Sequence, residues 1–208
     1  MTVPVTWLAP DTFVTFCKGM AMDVVVDIFE EAGRPLRTVG EGGGWVWVVQ
    51  DAYAGPGPGP GARDSGQTGW DLARSITAVM GRHHHAQRAS EPERVETVFL
   101  ASTSPCACPH GQNYAVPHCA EHPFQFVYSR GGFERTLFNL GARRESRRSG
   151  GLSDLLVREL LAAGIVGRDT PRYDAEPGFN ADGAHTVRII ADHFALPSPP
   201  LELGQRSP

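Results

Sequence analysis

The stretch Phe124-Gln-Phe-Val-Tyr-Ser-Arg-Gly-Gly-Phe-Glu-Arg-Thr-Leu-Phe-Asn-Leu140 decides the fold class. Its two arms are rich in aromatic and β-branched residues and are joined by Arg130-Gly-Gly132, the signature of a tight β-hairpin. An antiparallel hairpin here rules out a wholly parallel, doubly wound sheet. Working outward, Val95 to Ala101 reads as the strand that pairs with Phe124–Ser129. Earlier in the chain, Trp45-Val-Trp-Val-Val-Gln50 follows Gly42-Gly-Gly44 and is apolar on both faces, as in a central strand. Asp11 to Cys17 alternates in the manner of a half-buried strand.

Helical spacing marks four segments. Met22 to Ala32 places Val24, Val25, Ile28 and Phe29 on one stripe and stops at Gly33. Trp70 to Gly81 carries Trp70, Ala73, Ile76, Thr77 and Met80 at helical intervals. Leu152 to Gly164 offers Ser153 as N-cap and Leu155, Leu156, Leu160 and Leu161 as its apolar face, and Asp182 to Leu196 aligns Val187, Ile190 and Phe194. Strands and helices do not alternate regularly. The expectation is therefore an α+β fold, with an antiparallel sheet of about four to six strands and three to four packed helices.

Length agrees with one domain. The 208 residues contain 24 Gly and 17 Pro, well above ordinary usage, so long loops are expected. The reading is a single α+β domain over 1–196, interrupted by a Gly/Pro loop at 55–69 and a Cys/His-rich insertion at 102–123, with a flexible tail at 197–208. No run approaches the roughly 18 apolar residues of a membrane span, and the first ten residues lack a signal-peptide layout. A cytoplasmic protein with no membrane partner is expected. The formal charge of −4 carries no basic footprint, which argues against a nucleic-acid partner. Lys18 is the single lysine beside 18 arginines, a bias typical of GC-rich coding and a weak basis for reading Arg143, Arg144, Arg147 and Arg148 as a binding cluster.

Chemistry concentrates in one place. Between Ser102 and Pro123 stand Cys106, Cys108, His110, His118, Cys119 and His122, and four of these six would suffice for a tetrahedral zinc ion. Cys106 and Cys108 are separated by one residue, not by the two to four of common zinc motifs. A closed four-ligand site would be structural; three ligands and a water would suit hydrolysis. The competing reading is a reduced, metal-free insertion needing no cofactor. His83-His84-His85 reads as a solvated tract, and Asp192-His193 are adjacent helix residues that point apart. Trp45 and Trp47 read as core. Gly40-Glu-Gly-Gly-Gly-Trp45 precedes its strand and so is not a dinucleotide loop, and no Gly-x-Ser-x-Gly elbow, phosphate-loop lysine motif or His-Glu-x-x-His helix occurs.

Three segments, Thr12-Phe-Val-Thr-Phe-Cys-Lys-Gly-Met20, Trp45–Gln50 and Phe126-Val-Tyr-Ser-Arg-Gly-Gly132 with the helix ending Leu160-Leu-Ala-Ala-Gly164, together resemble a family of small proteins from high-GC Gram-positive bacteria known as a domain of unknown function. The resemblance spans Thr6 to Leu196 with gaps and departs most between Gly81 and Pro123. It implies an α+β cytoplasmic domain and transfers no catalytic residue. The function expected is that of a non-enzymatic module binding an unknown protein partner, with a zinc-binding module as the alternative.

Overall fold

A computed structural model describes residues 12–31, 36–51, 94–102, 124–139, 148, 150–167, 172, 175, 176, 179, 180 and 183–198. Nine elements lie within them: β1 (Thr12–Lys18), α1 (Met22–Glu31), β2 (Thr38–Gly42), β3 (Trp45–Asp51), β4 (Glu96–Ser102), β5 (Phe124–Arg130), β6 (Phe133–Asn139), α2 (Val157–Ala162) and α3 (Ala184–Phe194). The six strands form one open sheet in the order β2-β3-β1-β4-β5-β6, and every neighbouring pair is antiparallel. The architecture is thus α+β, with three helices among the described residues. None of them is long and apolar enough to cross a membrane. The expected helix over 70–81, the loop at 55–69 and most of the insertion at 102–123 lie outside the described residues.

Both tight hairpins follow from paired glycines. Gly43 and Gly44 have φ of +58° and +80°, and Gly131 and Gly132 have +59° and +84°, the two successive left-handed positions of a type I′ turn. L-residues with side chains rarely occupy both. These turns fix the registers Gly42↔Trp45 and Arg130↔Phe133, and one-residue slips would turn each strand's apolar set to the wrong face.

Strand alternation then divides the core between two faces. One face presents Val14 and Phe16 of β1, Trp45, Trp47 and Val49 of β3, Val98 and Leu100 of β4, Phe126 and Tyr128 of β5 and Phe138 of β6, all buried. Over it lie Leu156 and Leu160, Ile165, Phe179, and Val187 and Ile190 of α3. Each such side chain contributes roughly 1.5–3 kcal/mol when fully withdrawn from water. Trp45 also meets the edge of the Phe16 ring and that of Phe194, at centroid distances of 6.4 Å in each case, and its Nε1–H donates to the Phe194 carbonyl at 3.1 Å. That bond satisfies one of the carbonyls left open at the end of α3. On the opposite face, Val25 and Phe29 of α1 pack on Cys17, Val46 and Val48.

Three local expectations require correction. β2 was not anticipated, because Thr38-Val-Gly-Glu-Gly42 has one apolar residue and two glycines; it is held as an edge strand by β3, where the Trp47 indole occupies the space a Cβ on Gly40 would need. Ser153 does not cap α2. The residues before that helix form turns, with Leu155 N–H donating to Leu152 O at 3.0 Å and Val157 N–H to Asp154 O at 3.1 Å, and Leu156 takes φ +66° at the cap position. Arg148 secures this approach by donating from Nη1 to the Ser153 and Leu155 carbonyls, at 3.1 and 2.9 Å, while its guanidinium lies 4.3 Å from the Phe138 ring centre. Finally, Val24 and Leu161 are exposed, because α1 rests on the sheet through Val25, Ile28 and Phe29 and α2 through Leu160.

The start of α3 has its own fixing device. Asn180, buried with φ +53°, accepts from the N–H groups of His185 and Thr186 at 3.1 and 3.2 Å through Oδ1, and donates from Nδ2 to Thr186 Oγ1 at 2.9 Å. One side chain thereby serves two of the orphan donors of the first turn, the task an N-cap residue performs.

Candidate functional site

Cys106, Cys108, His110, His118, Cys119 and His122 lie outside the described residues, as do His83, His84 and His85. The frame that holds their segment is described: β4 ends at Ser102 and β5 begins at Phe124, and these two residues are register partners. The 21 residues between them therefore begin and end at adjacent strand ends. Among the described residues no group of three or more His, Cys, Asp or Glu side chains is placed to hold a metal. Of the four clustered arginines only Arg148 is described, in the structural role given above.

At the other end of the sheet, the register brings a charged row together. Lys18 pairs with Trp45 on one side and Glu96 on the other, and Glu96 pairs in turn with Arg130. The Lys18 ammonium lies 5.4 Å from the centre of the Trp45 ring, a cation–π distance. Glu96 sits between two cations and accepts from the Tyr128 hydroxyl at 3.4 Å. Burial pushes the Tyr128 phenol above its ordinary pKa and the Glu96 carboxylate adds to the rise, while Arg130 works the other way. At neutral pH Tyr128 is thus a hydroxyl donor and not a phenolate. Opposite charges face each other across the β1–β4 and β4–β5 pairs, and the row keeps one net positive charge.

Neighbouring helices add His193, whose Nδ1 is 3.8 Å from Glu159 Oε1 with both side chains well exposed. Such a pair contributes little in water. His193 meets the Phe194 ring edge-on at 4.8 Å, and Asp192 plays no part in orienting it toward a serine among the described contacts. The Trp45 and Trp47 indoles are buried in the core, as read from their strand. Sequence reasoning did not find the row of Lys18, Glu96, Tyr128 and Arg130, because it is assembled from three strands and is visible only once the pairing register is known.

The third feature is the free edge of the sheet. The β5–β6 pairing shifts register between Tyr128 and Ser129, so that Ser129 pairs with Glu134 and Tyr128 with Thr136, leaving Arg135 as the extra residue of a β-bulge. Its carbonyl turns to accept from Leu152 N–H at 2.7 Å, and Thr136 Oγ1 donates to Leu152 O at 2.6 Å. Gly150, with φ +102°, lies so close that a Cβ would run into the Arg135 carbonyl. The segment 150–152 thus covers the middle of the edge. Beyond it, Phe133 stands 68% exposed with the Arg135 guanidinium 5.7 Å from its ring centre, and Leu152 is also exposed. Sequence alternation had signalled the strand but not which of its aromatic side chains would be left in water. No family model, curated protein or solved structure matches the chain.

Proposed function

We propose that the chain is a non-enzymatic protein-interaction module that docks a partner protein against the tip of the β5–β6 hairpin. The observation that carries this reading is the exposure of Phe133 beside Arg135, on a hairpin where Phe126, Tyr128 and Phe138 are buried. A guanidinium beside an exposed aromatic ring offers the kind of anchor on which binding energy at protein interfaces concentrates, and exposed Leu152 on the adjoining segment extends the apolar surface. The matching partner presents an apolar pocket for the ring and a carboxylate for the guanidinium. No nucleic-acid or membrane partner is assigned.

The test compares tagged full-length protein with its Phe133→Ala variant, recovered from the native host at native abundance. A protein retained by the wild type and reduced at least tenfold by Phe133→Ala, with the unfolding midpoint unchanged, supports the reading. Recovery of the protein alone, or of a partner indifferent to Phe133→Ala, overturns it.

A second reading is a zinc-binding module, structural or hydrolytic, formed by four of Cys106, Cys108, His110, His118, Cys119 and His122. It is favoured by six donors lying in a loop whose ends are held side by side by the Ser102–Phe124 pair, which lowers the entropic cost of gathering ligands. Elemental analysis of untagged protein prepared without added metal checks it. About one zinc per chain, abolished when Cys106, Cys108 and Cys119 are changed to Ser, is the expected result; metal-free protein overturns it.

A further inference from the structure

The strand order leaves two edges, β2 and β6, and their directions are related. The six strands pair antiparallel throughout, so β2 and β6 run opposite ways. Two copies of the chain set side by side in one orientation therefore bring β6 of the first against β2 of the second as a further antiparallel pair. Such a contact joins unlike surfaces and repeats without closing. An open strand edge is a template for pairing with another chain.

The two edges differ in how they are covered among the described residues. β2 is short, with five residues of which two are glycine, whereas β6 has seven and includes Phe133, Leu137 and Phe138. In an antiparallel strand every second residue turns its N–H and C=O away from its neighbour, so β6, with β5 as its one strand partner, offers a row of such groups on its outer side. The segment 150–152 lies along that side. The Arg135 carbonyl accepts from Leu152 N–H at 2.7 Å, as it would from an added strand, and Thr136 Oγ1 donates to Leu152 O at 2.6 Å. Burial of apolar surface does not hold the segment there, since Gly150 and Gly151 are exposed and Leu152 is 47% exposed. It is instead closed on itself. Arg148 donates to the Ser153 and Leu155 carbonyls and lies over the Phe138 ring, so the chain on both sides of 150–152 is held at one place on the sheet.

We propose that the segment 150–152 is an edge guard. It takes the acceptor on β6 that β2 of a second copy would otherwise use, and so keeps copies of this chain from joining sheet to sheet. The fit depends on Gly150, which has φ +102° and whose missing Cβ makes room for the Arg135 carbonyl. Any side chain at that position would push the segment off the strand. The inference stands apart from the docking function assigned to the hairpin tip, because it concerns no partner other than the chain itself and is tested on the purified protein.

Sedimentation equilibrium of the full chain supplies the test. Gly150→Ala displaces the segment through its Cβ, and Thr136→Val removes the donor to the Leu152 carbonyl while keeping the shape of the side chain. The weight-average mass of both variants should rise with concentration to at least twice that of the wild type. Val39→Lys places a charge on the exposed side of β2 and should return the Gly150→Ala chain to the wild-type mass, as lysines on edge strands do. Both strap variants matching the wild-type mass, with native circular dichroism, would overturn the proposal. Association indifferent to Val39→Lys would overturn the pairing of β6 with β2. Thr136→Val alone decides the matter if Gly150→Ala does not fold.

Discussion

Cys17 stands at the centre of the sheet, fully buried, and burial alone pushes its thiol from 9.0 up to about 12. Below pH 9 both folded and unfolded chains hold the proton and the group has no pH-dependent effect. Above pH 9 the unfolded chain releases a proton that the folded chain keeps, so stability falls as pH rises, by about 1.4 kcal/mol per unit until about pH 12. Tyr128, also raised, acts in the same sense above its own ordinary range. Urea unfolding midpoints should therefore decline from pH 9 upward, and Cys17→Ala should make that decline shallower. Iodoacetamide mapping offers a second check, with Cys17 expected to remain unmodified in the native protein and to react once urea unfolds it, since the thiolate is the nucleophile. A Cys17 that alkylates readily under native conditions contradicts its placement. The sequence placed Cys17 in a half-buried strand, apart from the three cysteines of the insertion, but full burial of its thiol follows only from α1 packing over it.

Among the elements, legibility tracked side-chain pattern. β1, β3, β4, β5 and β6 were read because each is rich in the aromatic and β-branched residues that fit a pleated sheet, with β3 apolar on both faces. β2 lacks that pattern and exists because β3 supplies its hydrogen bonds and Trp47 covers Gly40. The start of α2 was misplaced for a related reason: Ser153 is a good cap in isolation, but the bonds from Arg148 and the left-handed Leu156 delay the helix to Val157. The end of α3 yields a prediction. Ala195 takes φ +51° while Leu196 N–H donates to Ala191 O at 2.9 Å, an arrangement that ordinarily places glycine at the left-handed position. Ala195→Gly should relieve about 1 kcal/mol of strain and raise the melting temperature by about 2–4 °C. A lower melting temperature would show that the methyl group contributes more than its backbone conformation costs.

For the molecule as a whole, the antiparallel α+β class could be read from the hairpin at 124–140, whereas strand order could not, because nothing local to β1 says that β3 and β4 will flank it. The charged row and the exposed Phe133 were hidden for the same reason. Both depend on which strands meet, or on which faces the later helices cover. α3 closes the larger face by bringing Val187 and Ile190 onto a surface built from five strands. A chain ended at Gly183 should therefore lose cooperative unfolding and bind the dye anilinonaphthalene sulfonate, as loosely packed states with open apolar surface do. A sharp, dye-free transition in that truncated chain would mean that α3 is dispensable for the core.

The hydrogen bond from Trp45 to the Phe194 carbonyl joins residues 149 positions apart, and that span has a meaning for the protein's birth on the ribosome. Phe16, Trp45 and Trp47 are all synthesised long before the helix that shelters them. At elongation rates of about 5–20 residues per second, the nascent chain carries this apolar surface for on the order of ten seconds before α3 is made. Closing the bond between Trp45 and Phe194 therefore has to wait until almost the whole of this sequence has been made.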